Sequence, residues 1–563
     1  MEHLTPRTTS PADTPASGTV ATALADALVA LGIRRAFGVS GGGVAHIWSA
    51  LGEHPALQLV HTQHEGGASF AATEASLATA SPVVVFGTTG PGLTNLLTGL
   101  VAARQEGACV IAITGMTPAE RRGRGATQET SPQSLWPGLF APGAVFDMAE
   151  VLEDPRQLPT VLAKLAEGVA QPGGFVAHIA VPGAQRTAPH RSLPPTQVCH
   201  PRLGAAATEQ LARDLATARQ VRLVVGYEAR HATERLTELA DRLDATVVVT
   251  PRAKGVFPED HPRCLGVVGL AGTAEALLEP ADQVLCLGTR LGEASSQWQD
   301  ALLPAPGGRM VLVHPRGDAT GAYPDTAHLL VRAAVDQVVD DLIRALPASF
   351  LPYVGRPRAP RRAVPMAVVP GTVHPEALMA AVQRVVVEGS GAHVMAASGN
   401  SFAWAIRHLR FPRPRFRVSV GWGSMGHCTS GVIGIAATGQ PAVAIVGDGA
   451  MLMMNEVATA VRHRLPAVWV VLVDGRYGMC AQGTAMLGLP SDCTLPPVDF
   501  AAWARAMGAH GLTVDTAAGI APALTEALAH GGPVVVAVHI DPTAEAPIGR
   551  RVAALTFHEE VSP

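Results

Sequence analysis

The chain has 563 residues, of which 48% are apolar and only 16% charged, with a formal net charge of −4. That length exceeds a single hydrophobic core and predicts roughly two to four domains. The charge balance excludes an electrostatic case for nucleic acid or an acidic membrane as partner. The seven cysteines (109, 199, 264, 286, 428, 480 and 493) contain no C-x-x-C pair, which favours reduced thiols in a cytoplasmic protein over a disulfide framework or a zinc site.

Residues 1–19 are polar and rich in Pro, Thr and Ser. They lack the apolar core of a signal peptide and read as a disordered lead-in. The first block, residues 20–185, alternates helical stretches (22–31, 67–79) with short apolar strands (36–39, 83–86, 110–113) that end in Gly- or Thr-rich turns. A Pro-containing seam follows at 183–202. The second block, 203–347, places strands at 221–225, 246–249, 284–287 and 310–313. A Pro- and Arg-rich seam at 347–370 separates it from the third block, 371–545, and residues 546–563 form a tail. Strands alternating with helices predict parallel sheets covered on both faces. The expected fold class is therefore α/β, with three consecutive doubly wound parallel-sheet domains. No apolar run is long enough to span a bilayer.

The chemistry concentrates in the third block. The strand at 442–446 feeds Gly447-Asp448-Gly449. The strand at 467–473 feeds Asp474, 26 positions after Asp448, within Val473-Asp474-Gly475-Arg476-Tyr477-Gly478. A helical stretch at 455–464 lies between them. In such a β-α-β unit both acids sit at C-terminal strand ends, facing the ligand crevice. Two carboxylates there suit a hard divalent cation, most simply Mg²⁺. Mg²⁺ held by so few protein groups bridges to phosphates, which implies a diphosphate cofactor.

Further segments accompany this unit: Gln63-His64-Glu65-Gly66-Gly67-Ala68, Gly87-Thr88-Thr89-Gly90-Pro91-Gly92-Leu93-Thr94-Asn95, Thr127-Gln128-Glu129-Thr130, Gly399-Asn400-Ser401 and Gly421-Trp422-Gly423-Ser424-Met425-Gly426. Taken singly, Glu65 is an acid favoured at a helix N-terminus, Asn400 or Ser401 a helix cap, and Met425 core filler. Taken together with Asp448 and Asp474, they resemble the motifs of thiamin diphosphate enzymes of the acetolactate synthase/pyruvate decarboxylase superfamily, the acetolactate synthase large subunit in particular, across residues 20–540.

The resemblance implies the order of pyrimidine-binding (PYR), middle and diphosphate-binding (PP) domains. It implies thiamin diphosphate and Mg²⁺ as cofactors. Asp448, Asp474 and the backbone carbonyl of Arg476 fall on the metal ligands, although the family's Asn pair has become Val473-Asp474 and the intervening segment is one residue short. Glu65 falls on the catalytic glutamate that shares a proton with the pyrimidine N1′. Gly423 would offer its carbonyl to the 4′-amino group, and Met425 would wedge the cofactor into its bent shape, a task suited to a large, unbranched, polarizable side chain. Ser424 and Tyr477 are placed with the cofactor. Gly399, Asn400 and Ser401, with the amides of Gly449 and Ala450, would cradle the diphosphate. Gly90 and Asn95 would line the pocket from the first block, with Gln128 and Gly41 bordering the substrate. Because Glu65 and the metal motif come from different subunits in this family, a homodimer or homotetramer with interfacial sites is implied.

The wording favours acetolactate synthase, yet two acceptor-site features differ. Gly483 stands six residues after Tyr477, where the family's acceptor-selecting Trp lies. Ala294 stands four residues after Arg290, where the carboxylate-binding Arg lies. The expectation is a carboligase that joins a 2-keto acid donor, pyruvate by default, to a larger or uncharged carbonyl acceptor. A simple decarboxylase and a catalytically degenerate homologue remain as alternatives. FAD, which acetolactate synthases hold in the middle domain, is disfavoured: Arg290 persists, but the acidic stretch expected after Val313 is His314-Pro315-Arg316-Gly317.

Overall fold

Runs of branched apolar residues bounded by glycine make the central strands. Val83–Gly87 and Phe175–Val181 are buried at every position, as strands covered by helices on both faces must be. The computed structural model describes residues 19–183, 202–316, 323, 328–348, 369–454, 456–549 and 552. The expected lead-in and most of the seams and tail lie outside these residues, as do Cys199 and Gly317.

Three six-stranded sheets follow in series, and every strand pairing is parallel. The first contains β1 (Arg35–Gly38), β2 (Gln58–His61), β3 (Val83–Gly87), β4 (Cys109–Gly115), β5 (Met148–Val151) and β6 (Phe175–Val181), in the order β2-β1-β3-β4-β6-β5. The second contains β7 (Val221–Val225), β8 (Thr246–Val249), β9 (Cys264–Val267), β10 (Gln283–Leu287), β11 (Arg309–Val313) and β12 (His328–Val331), ordered β12-β11-β10-β7-β8-β9. The third contains β13 (His393–Ala396), β14 (Phe416–Val418), β15 (Ala442–Gly447), β16 (Ala467–Val473), β17 (His510–Val514) and β18 (Val534–His539), ordered β14-β13-β15-β16-β18-β17. The first and third sheets thus share one topology. Strand order reverses between β1 and β3, between β7 and β10, and between β13 and β15. In open α/β sheets, ligands bind outside the carboxyl ends at such reversals.

The nine strands expected from the sequence lie within two residues of β1, β3, β4, β7, β8, β10, β11, β15 and β16, whereas the buried strands β6, β13 and β18 were not expected. The edge strands β2, β5 and β14 are short and mixed in polarity, so composition does not announce them. The helix expected at 67–79 spans Glu65–Thr79, because His64 caps it: its Nδ1 accepts the Gly66 N–H at 2.9 Å. The helix expected at 455–464 spans Val457–His463 and follows a single turn at Asp448–Met451.

The Glu65–Thr79 helix is buried almost all round. It packs on Pro91–Glu106 of its own block and on His427–Ala436 of the third. The approach is close enough that a Cβ on Gly434 would overlap the Ala71 carbonyl oxygen. A buried charge cluster pins the same interface. Glu74 accepts Arg417 Nε at 2.8 Å and Nη2 at 3.1 Å, and lies 2.8 Å from His427 Nε2. Burial alone would raise the Glu74 pKa, but Arg417 and His427 hold the carboxyl well below the usual range. Among the described residues no helix is long and apolar enough to cross a membrane.

Gly434→Val puts two methyl groups and a Cβ where the Ala71 carbonyl sits. It should cost about 3 kcal/mol or more of unfolding free energy, measured by urea denaturation; a loss under about 0.5 kcal/mol would show that the two helices are free to separate.

Candidate active site

A cavity of about 880 Å³ opens at the carboxyl ends of β13, β15 and β16 and extends to the ends of β7 and β10. Its third-block wall carries Gly399, Asn400, Ser401, Gly423, Met425, Asp448, Gly449, Ala450, Asp474, Arg476 and Tyr477. Sheet register makes this possible. Parallel pairing of β15 with β16 aligns Gly447 with Leu472, so Asp448 and Asp474 emerge side by side.

Asp448 is buried and accepts three backbone N–H groups: Gly449 on Oδ1 at 2.8 Å, and Gly475 and Asp474 on Oδ2 at 2.7 and 3.2 Å. Burial, and then the neighbouring Asp474, nevertheless lift its pKa to about 6. Burial also raises the Asp474 pKa, opposed by Arg476, whose Nε lies 3.4 Å from Oδ2. The turn after Asp474 needs Gly475 at φ +70°. It is clamped to the next segment by Tyr477 N–H to the Cys493 carbonyl and Leu495 N–H to the Gly475 carbonyl, both at 2.8 Å. The Arg476 guanidinium reaches the Pro542 carbonyl.

Among the described residues no group of three or more His, Cys, Asp or Glu side chains is placed to hold a metal ion by itself. Two carboxylates and a backbone carbonyl are instead a partial ligand set, of the kind Mg²⁺ completes with phosphate oxygens and water. A second observation fits a cation, for which an amide oxygen is a ligand. The Asn400 Oδ1 is buried on the cavity wall without a hydrogen-bond partner, while its Nδ2 lies 3.4 Å from Gln482 Oε1.

Two expectations at the diphosphate end change. The Ser401 hydroxyl donates to the Ala397 carbonyl at 3.0 Å, which leaves its backbone N–H, at the start of the Asn400–His408 helix, as the group for an anion. The Gly449 N–H is likewise engaged, by Asp448, and the helix it opens is one turn long. Ser424 does not line the cavity; its hydroxyl lies 3.1 Å from the Met425 carbonyl. Gly483 is also off the wall, and a Cβ there would point to the Val552 side chain.

The first-block residues gather separately. Glu65 is 8% exposed, and its Oε2 accepts Asn95 Nδ2 at 3.1 Å. Gly90 packs against Gln128, and its N–H meets Thr130 Oγ1. Thr89 Oγ1 donates to Gln128 Oε1 at 3.2 Å, and Gly41 lies against the Thr88 side chain. None of Glu65, Asn95, Gln128 and Gly41 lines the 880 Å³ cavity.

Sequence reasoning missed Glu456. This buried carboxylate accepts the Gln63 and His64 N–H groups at 2.9 and 3.2 Å, and a Cβ on Gly67 would strike it. It therefore fixes the segment that leads into Glu65. Burial raises its pKa to about 7 against the pull of Thr459 and those two N–H groups. Its only local signal was an acid near a helix start, which is commonplace.

The middle-block side of the cavity holds Tyr227, Arg252, Arg290, Ala294, His314 and Arg316. Where an acid was expected after Val313, Arg316 instead binds the first block, donating to the Gly173 and Gly174 carbonyls at 2.7 and 3.0 Å. Among the described residues, His314, Pro315 and Arg316 follow β11 and bring no carboxylate.

Three domain models match in order: the N-terminal TPP binding domain of thiamine pyrophosphate enzymes over residues 18–135, the central domain over 208–342, and the C-terminal TPP binding domain over 397–538. A Mycobacterium tuberculosis protein assigned by name as the acetolactate synthase large subunit IlvB2 is 30% identical over 522 residues, covering 87% of this chain and 92% of that one. Acetolactate synthase of Mycobacterium bovis is 28% identical, covering 96% and 91%. Benzoylformate decarboxylase from Polynucleobacter necessarius superposes with a TM-score of 0.83 at 19% identity, covering 94% of this chain and 99% of that one, a likeness of fold. With its three parallel sheets and its carboxylate-lined strand ends, the chain belongs to the thiamine pyrophosphate enzymes of the acetolactate synthase/pyruvate decarboxylase group.

Proposed function

We propose that the protein is a thiamin diphosphate- and Mg²⁺-dependent carboligase that decarboxylates a 2-keto acid, pyruvate by default, and transfers the acyl anion to a carbonyl acceptor. The observation that carries this reading is the division of the machinery: Asp448, Asp474, Gly423 and Met425 share one cavity, while Glu65 and Gln128 do not line it. Two copies related by a two-fold axis would bring the halves together and give two sites per homodimer, or four in a tetramer.

When bound, thiamin diphosphate supplies the carbon nucleophile and the electron sink for loss of CO₂. The protein's part is to bind, orient and move protons. Asp448, Asp474 and the Arg476 carbonyl would hold Mg²⁺, with the Ser401 and Ala450 N–H groups close to the phosphates. The Gly423 carbonyl would accept from the 4′-amino group, and Met425 would fix the bend. Glu65, oriented by Asn95, would hold the proton shared with N1′ of the pyrimidine in the neighbouring subunit's site. Gln128 spends Oε1 on Thr89, which leaves its amide N–H groups to donate to substrate.

Ala294 lines the cavity where an arginine would anchor an acceptor carboxylate. Without that cation a second 2-keto acid loses its charge-assisted anchor, which supports an uncharged or larger acceptor. The same vacancy suits a simple decarboxylase that releases an aldehyde, and product analysis separates the two. Mass spectrometry of reactions with pyruvate and a panel of aldehydes and ketones should find acceptor-dependent ligation products. Free aldehyde alone, at a rate indifferent to acceptor, would establish the decarboxylase.

Glu65→Gln should lower turnover by about 10²–10⁴-fold while calorimetry finds thiamin diphosphate bound as before. Near-normal turnover would remove Glu65 from the chemistry.

Metal binding should depend on pH with a defined sign. The cation must displace the proton that Asp448 holds below a pKa of about 6. Mg²⁺ affinity should therefore fall about tenfold between pH 7 and pH 5, and Asp448→Asn should abolish metal-dependent cofactor uptake. An affinity flat across that range would place the cation elsewhere.

A further inference from the structure

The cofactor loop Gly421–Gly426 is held from outside its own domain. Glu106, the last residue of the Pro91–Glu106 helix, is fully buried. Its Oε1 accepts the Ser419 hydroxyl at 3.1 Å and the Gly421 N–H at 3.4 Å. Its Oε2 lies 2.8 Å from Arg252 Nη2 of the middle block and 3.7 Å from Arg417 Nη2 of the third. Arg252 also donates to the Glu106 backbone carbonyl at 2.9 Å. The Tyr227 ring covers this cluster, with the Arg252 and Arg417 guanidinium carbons 4.9 and 4.4 Å from its centroid.

A carboxylate at this position is opposed twice, by desolvation and by the negative C-terminal end of its own helix. Among the described residues, the donors that compensate it come from the other two blocks. The same helix grips the loop at a second point, where Trp422 Nε1 donates to Thr98 Oγ1 at 3.2 Å. Nearer its start the helix presents Asn95 to Glu65. One rigid rod, with about 16 Å between residues 95 and 106, thus holds both the proton-sharing carboxylate and the loop that carries Gly423 and Met425.

We propose that Glu106 is a positioning residue that sets the Gly421–Gly426 loop, and through it the seat of the cofactor's aminopyrimidine, by accepting the Gly421 N–H and the Ser419 hydroxyl. This rests on the reading of that loop as the aminopyrimidine seat. A purely structural role would instead lie in the ion pairs with Arg252 and Arg417. Two conservative variants separate these roles. Glu106→Asp keeps the charge but withdraws the acceptor by one methylene. Glu106→Gln keeps the acceptor but removes the charge.

Amide hydrogen exchange of the 419–426 peptide, followed by mass spectrometry on the full-length protein without cofactor, is the readout. Positioning predicts exchange about tenfold faster in Glu106→Asp, the loss of roughly one hydrogen bond, with parental exchange in β3 and near-parental loop exchange in Glu106→Gln. The reverse pattern, Asp tolerated and Gln loosened, or no change in either variant, overturns the proposal. Calorimetric titration with thiamin diphosphate and Mg²⁺ then tests the underlying reading separately. Weakened cofactor binding in Glu106→Asp supports both. A loosened loop with unchanged cofactor affinity leaves Glu106 as the holder of the loop and overturns its assignment as the aminopyrimidine seat.

Discussion

Two carboxylates side by side at the ends of β15 and β16, Asp448 buried and Asp474 half-buried, set the terms for the rest of the site. Three backbone N–H groups converge on Asp448, and still burial and the proximity of Asp474 keep its proton affinity high. An arrangement with this much unbalanced negative potential suits a cation. The neighbouring cavity wall carries an unpartnered Asn400 oxygen, a further acceptor for a cation, and the start of the Asn400–His408 helix, whose positive end favours an anion beside it. The parallel register is what creates the problem, because it delivers both strands' carboxyl ends to the same edge.

The first block faces a different constraint. Glu65 needs a fixed direction more than it needs charge partners, and the chain provides it through burial. Glu456 grips the backbone just before Glu65, Asn95 holds its oxygen, and the helix behind it is locked against the third block by close backbone approach and by the Glu74–Arg417–His427 cluster. Breaking such a cluster by removing one partner leaves an uncompensated buried charge, which makes the interface specific. The middle block contributes by contact. Arg252 reaches Glu106 and Arg316 reaches the Gly173 and Gly174 carbonyls, so the second sheet steadies the cavity wall it shares.

Much of the fold was legible because its signals are local. Valine-rich runs bounded by glycine announce buried parallel strands, and β7, β8 and β16 fall where composition places them. The motif residues were legible because chemistry restricts residue type at fixed spacing, as at Asp448 and Asp474. Legibility failed where a side chain had a choice of partners. The Ser401 hydroxyl turned back to Ala397, Ser424 turned off the wall, and Gly483 lies toward Val552 rather than the cavity. The helix start at Glu65 was legible as an acid at a helix N-terminus, while its cap, His64, was not.

By itself the sequence determined three α/β sheets in series, a carboxylate pair at adjacent strand ends and the candidate residues around them, since each depends on periodicity or spacing within a few tens of residues. Tertiary structure alone decided that Glu456 would hold residues 63 and 64, that Glu74 would pair with Arg417, and that Glu106 would meet both Arg252 and Gly421. Those partners lie some 150 to 390 residues apart along the chain. Nothing in local composition encodes them, because they exist only after burial has removed water as the competing partner.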